Sequence, residues 1–87
     1  MRDQNILGNI IKKNRVRYGI PRRVVADKLG YSSAQVIYMI ESGRMRMPYD
    51  KLLKMSKLLM IDRKLVAKVL LDEFIYDLEK TLNIKVS

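Results

Sequence analysis

Residues 19–43, GIPRRVVADKLGYSSAQVIYMIESG, hold the side chains of this chain best suited to specific chemistry. Val36, Ile37 and Ile40 recur at helical spacing as one apolar side of a short segment. Ser33, Ala34, Gln35, Tyr38 and Met39 form the outward set. A glutamine amide donates and accepts at once, which matches the edge of adenine, while alanine and methionine offer apolar contact to a thymine methyl. A tyrosine can donate to a phosphate or stack on a sugar. Each residue also has a plainer reading. Gln35 is then an ordinary exposed helix residue, Tyr38 packs along the helix surface, and Ser33 and Ala34 serve in capping.

Other chemistries are poorly supplied. Histidine and cysteine are both absent, which removes the usual general base, the commonest metal ligand and any thiolate nucleophile. The acidic residues are scattered and no glycine-rich phosphate loop occurs. Catalysis, a metal, a cofactor and a small-molecule ligand are therefore not expected. Charge points elsewhere. The chain of 87 residues carries 18 Lys plus Arg against 9 Asp plus Glu, a formal net charge of +9. That favours polyanionic partners and salt-dependent binding. All of the excess lies in residues 1–61, with 13 basic side chains and 4 acidic ones (Asp3, Asp27, Glu41, Asp50). Residues 62–87 hold 5 of each sign, and that neutral, Leu/Val/Ile-rich segment suits protein contact.

The elements that must position the outward set follow from apolar periodicity, and all read as helices. The first, about residues 4–18, carries Ile6, Leu7, Ile10 and Ile11, with Lys12, Lys13, Arg15 and Arg17 toward its end and Gly19 stopping it. Pro21 falls in the first turn of the second, whose buried face is Val24, Val25 and Leu29. Small Ala26 allows a close crossing, and Gly30 terminates the helix in a left-handed turn. Ser32 and Ser33 can cap the third. Arg44-Met45-Arg46-Met47-Pro48 makes a basic loop. A fourth helix, about 49–59, turns Leu52, Met55, Ser56 and Leu59 inward. Asp62 caps a longer fifth helix, roughly 63–82.

The fifth helix has two apolar sectors. Leu65, Val66, Val69 and Leu70 form the core face, while Leu71, Ile75, Leu78 and Leu82 follow a separate stripe with Phe74 between. One small domain seldom buries both, so the second stripe is expected to be a dimer interface. The resulting expectation is one all-α, five-helix domain. Residues 1–61 form a helix-turn-helix DNA-binding part with its helix-turn-helix at about 21–42, and residues 62–87 form a dimerising C-terminal helix of the same compact unit.

Taken in order, these segments resemble the helix-turn-helix regulators of the phage Cro/repressor type, the xenobiotic-response-element (XRE) family. The likeness covers about residues 6–61. Ile10, Arg15 and Gly19-Ile20 look like the family's opening; Ala26, Leu29 and Gly30 match its second helix; Glu41-x-Gly43-Arg44 and Pro48 match the end of its third. The resemblance implies a lambda-repressor-like fold in which Arg15 and Glu41 pair as a scaffold link between helices one and three. Two departures stand out. Pro21 and Arg22 replace the usual serine and glutamine, and Arg22 can bind phosphate but cannot accept a hydrogen bond. Tyr38 and Met39 stand where short or polar residues are usual, which favours some apolar readout.

The function these features imply is sequence-specific binding of double-stranded DNA by a small homodimeric repressor of phage or mobile-element type. Its site would be a pseudo-palindromic operator. Ser33, Ala34, Gln35, Tyr38 and Met39 would read bases, and Arg22, Arg23, Arg44 and Arg46 would hold phosphates. Leu71, Phe74, Ile75, Leu78 and Leu82 would form the dimer contact, with Arg15, Ala26, Gly30 and Glu41 structural. The alternative is an antitoxin or accessory component that grips a different protein through the fifth helix. No apolar run suggests a membrane span, and MRDQNILGN lacks the apolar region of a signal peptide, so the cytoplasm is the expected location.

Overall fold

A computed structural model of the protein describes residues 5–86. The expected helix start at residue 4, Asp3, and the outer bounds 1 and 87 lie outside the described residues. Five α-helices follow in order among these residues: α1 (Ile6–Arg17), α2 (Arg22–Leu29), α3 (Ala34–Glu41), α4 (Leu52–Leu58) and α5 (Arg63–Leu82). There is no strand among the described residues. The fourth helix differs from expectation at its start, where Tyr49–Lys51 forms a 3-10 turn before α4 begins. Pro48 precedes that turn in an extended conformation and accepts from Lys51 N–H at 3.1 Å.

Each helix turns one stripe inward. In α1, Leu7, Ile11 and Arg15 stand four residues apart and are all buried. In α2 the buried set is Val25, Ala26 and Leu29; in α3 it is Ile37, Ile40 and Glu41. Met55 and Ser56 of α4, Leu59 just past it, and Val66 and Val69 of α5 complete the core with Met47 and Ile61. Ile11, Val25, Ile37, Met55 and Leu59 are fully buried, each contributing about 1.5–3 kcal/mol of transfer free energy. α2 packs mainly on α3, α1 on α3 and α5, and α4 on α2 and α5.

Two expected core positions are corrected. Leu65 is 43% exposed, and Val24 also faces solvent. Successive helical residues differ by about 100°, so of two adjacent apolar residues only one points fully inward: Val25 is buried beside exposed Val24, and Val66 beside exposed Leu65. Pro21 is also placed one step earlier than expected. It is the N-cap, and its carbonyl accepts from Val24 and Val25 N–H.

Long-range polar side chains finish three helix ends, where the last carbonyls lack intrahelical donors. Asn5 Nδ2 donates to Glu41 O at 2.6 Å, Lys51 Nζ to Leu29 O at 2.7 Å, and Asn14 Nδ2 to Leu59 O at 2.9 Å. Such bonds contribute about 0.5–1.5 kcal/mol each. Gly8 marks a close crossing of α1 over the end of α3. A Cβ there would lie 2.5 Å from the Ile40 carbonyl oxygen.

Candidate nucleic-acid interface

The α2–turn–α3 unit is built to hold one helix face outward. Ala26, 1% exposed, lets α2 come close to α3. The turn starts at Gly30 with φ +84°, a left-handed conformation that Gly adopts without the steric cost of a Cβ. Tyr31 N–H then closes it by donating to Ala26 O at 2.8 Å. Lys51 Nζ reaches the same end, lying 4.9 Å from the Tyr31 ring centroid. Burial, with a smaller contribution from Asp50, pushes the Tyr31 hydroxyl above its ordinary pKa. Ser33 caps α3, its hydroxyl accepting from Gln35 N–H at 3.1 Å.

With Ile37 and Ile40 inward, Gln35 and Tyr38 are exposed and Ala34 and Met39 half-buried on the opposite side. These four and Ser33 thus share one accessible region of α3 and its cap. At the other end of α3, Arg44 N–H and Ser42 Oγ both donate to Met39 O, folding the chain back after Gly43.

The scaffold beneath this face is a buried carboxylate shared by two arginines. Glu41 receives Arg15 Nε at 2.6 Å and Arg15 Nη2 at 3.3 Å, and Arg22 Nε at 3.0 Å. Arg15 Nη1 also donates to Ile20 O at 3.2 Å, which ties in the α1–α2 turn. The Glu41 side chain is 2% exposed. One negative charge between two guanidiniums leaves a positive excess beside the N-terminus of α2.

The four arginines expected on phosphates fall into two kinds. Arg23 and Arg44 are exposed and have no acidic partner among the described residues. Arg22 has its Nε on Glu41 and its guanidinium 5.3 Å from the centre of the Tyr38 ring. Arg46 is paired with Asp77 of α5, and that hydrogen bond is the main reason its pKa is raised. Arg46 therefore links the basic loop to α5. Asp77 lies 31 residues away in sequence, beyond the reach of any local pattern.

On α5, Leu71 (57% exposed), Phe74 (51%) and Leu82 are open to solvent, whereas Ile75 and Leu78 are half-buried. Tyr49, Ala67, Leu70, Leu71 and Phe74 line a shallow apolar groove there. The stripe expected at a dimer contact is thus most open toward its Leu71–Phe74 end and at Leu82.

Asn5 and Gly8 were not foreseen as parts of this site, although both fix the end of α3. Gly8 had a signal, since glycine inside a helical pattern costs about 1 kcal/mol relative to alanine and so implies a packing reason. Asn5 had none. Among the described residues no group of acidic side chains is arranged to hold a metal ion, and no helix is long and apolar enough to cross a membrane. Comparison with protein-family models, with curated proteins and with solved structures returns no match.

Proposed function

We propose that this protein is a sequence-specific, double-stranded DNA-binding transcriptional regulator of the XRE helix-turn-helix type, acting as a homodimeric repressor in the cytoplasm without a cofactor or catalytic step. The observation that carries the reading is the outer face of α3. Gln35 and Tyr38 stand exposed there on a helix whose opposite side is anchored by Ile37, Ile40 and the Glu41 network. A rigid helix with adaptable polar groups outward is what base readout in a major groove requires. Arg23 at the start of α2 and Arg44 after α3 add exposed positive charge without an acidic partner among the described residues, suited to phosphates.

Two copies are needed because one short helix reads only a few base pairs. Pairing through the outer stripe of α5 raises affinity by effective concentration and sets two α3 helices about 34–36 Å apart. Support for pairing comes from Leu71 and Phe74, exposed beside Tyr49 in a segment of no net charge. The same patch favours a second reading, an antitoxin or accessory component holding a different protein there. Selection of bound duplexes from a random pool tests the proposal. An enriched motif with two-fold symmetry supports a homodimeric regulator, a single unsymmetrical half-site favours the accessory reading, and no enrichment overturns both.

A further inference from the structure

We propose that Arg22 acts on DNA through Tyr38, as a positioning residue for the reading face, and that the phosphate clamp at the start of α2 belongs to Arg23. This inference rests on the DNA-binding reading above and deepens it. Adjacent arginines at a helix start would ordinarily be given the same role, yet these two sit in different surroundings.

Arg22 is engaged on two sides at once. Its Nε donates to the buried Glu41 carboxylate at 3.0 Å, and its guanidinium lies 5.3 Å from the Tyr38 ring centroid. A guanidinium can do both because it is planar, with donors at its edge and a face free to stack on an aromatic ring. Glu41 is itself held by Arg15, which is fastened to the Ile20 carbonyl. The result is a continuous chain of contacts, Ile20–Arg15–Glu41–Arg22–Tyr38, running from the interior to an exposed ring on the outward side of α3. Tyr38 is 39% exposed and one turn along from Gln35. Holding its ring before DNA arrives reduces the ordering cost of binding. It also fixes which base pair the ring meets, and a thymine methyl is the group its apolar face suits. Arg23 has neither restraint. It is exposed, without an acidic partner among the described residues, and remains available to a phosphate.

The test uses the full chain with Arg22→Lys and Arg22→Gln, measured on the selected operator and on a random duplex of equal length across a salt series. Both variants should lose roughly 5- to 30-fold in the ratio of operator to random binding, the size of a partly desolvated stacking contact. Lysine keeps the charge but not the planar fork. The salt slope should stay at the wild-type value in both, and sites selected by either variant should lose preference at one base pair per half-site. Adding Arg22→Gln to Tyr38→Ala should cause no further loss of discrimination. In the free protein, Arg22→Gln should shift the Tyr38 ring proton resonances, a readout that needs no DNA. Unmoved resonances overturn the proposal. So does a pattern in which Arg22→Gln weakens both duplexes equally and lowers the slope by about 0.9 while Arg22→Lys restores it, which would make Arg22 the phosphate clamp. A wild-type protein that binds both duplexes equally defeats the regulator reading first, and this inference with it.

Discussion

Removing the Glu41 carboxylate should be among the most damaging single changes in the protein, and the damage should be repairable. In Glu41→Ala, two guanidiniums lose their shared counter-charge. Arg22, whose side chain is 34% exposed, can turn to water. Arg15, at 11%, cannot without dragging α1 off α3. The cost therefore comes mainly from a stranded buried charge, about 3–5 kcal/mol, out of a total stability of order 5–15 kcal/mol for a domain of this kind. Urea unfolding followed by far-UV circular dichroism reads it directly. With a slope of about 1 kcal/mol per molar for a small domain, the midpoint should fall by about 3–5 M or the variant should be unfolded in buffer. The double variant Arg15→Met/Glu41→Leu should recover most of the loss, because replacing both partners with apolar groups removes the unpaired charge. A drop of only about 1 M in Glu41→Ala, the size expected of a surface pair, would refute the reasoning. So would a double variant no better than the worse single one.

Gln35→Ala should weaken operator binding by about 1–3 kcal/mol and relax preference at one base pair while leaving random-duplex binding unchanged; equal loss on both, measured by fluorescence anisotropy, would show that Gln35 reads nothing. Arg44→Ala should lower the salt slope by about 0.9, whereas Arg46→Ala should change it by less, since Arg46 is already paired with Asp77; the opposite order in a salt titration would exchange their roles. Leu71→Asp should convert a dimer to monomers without loss of helical signal, and is a cleaner probe than Leu78→Asp because Leu78 is half-buried; light scattering that still finds a dimer would move the interface elsewhere. Gly8→Ala should destabilise the fold despite alanine's better helix propensity, because its Cβ would press on Ile40 O; a raised melting temperature would contradict that.

The helices and their order were legible because each carries apolar residues at helical spacing, and because Gly30, Ser33 and Asp62 act through local conformation and hydrogen bonding. The range of α5 was readable to the residue for the same reason, an N-cap aspartate followed by unbroken periodicity. Val24 and Leu65 were misplaced because each adjoins an equally apolar residue, and only packing decides which of two neighbours points inward. The outward set of α3 could be read from Val36, Ile37 and Ile40 alone. What could not be read was how the arginines divide. Arg22 and Arg46 look like Arg23 and Arg44 in sequence, and their engagement depends on Glu41, Tyr38 and Asp77, which come near only after the helices have packed. Asn5 escaped for the same reason, its partner being a carbonyl 36 residues away.

Whether the exposed face of α3 meets DNA can be read by amide shift mapping of the labelled protein during titration with the selected duplex. The largest changes should fall at Arg23, Ser33 to Gln35, Tyr38, Met39 and Arg44, with little movement at the exposed lysines Lys12 and Lys13 of α1 and Lys54 and Lys57 of α4. Saturating shifts confined to those lysines, or spread evenly over the basic surface with α3 unchanged, would contradict that contact.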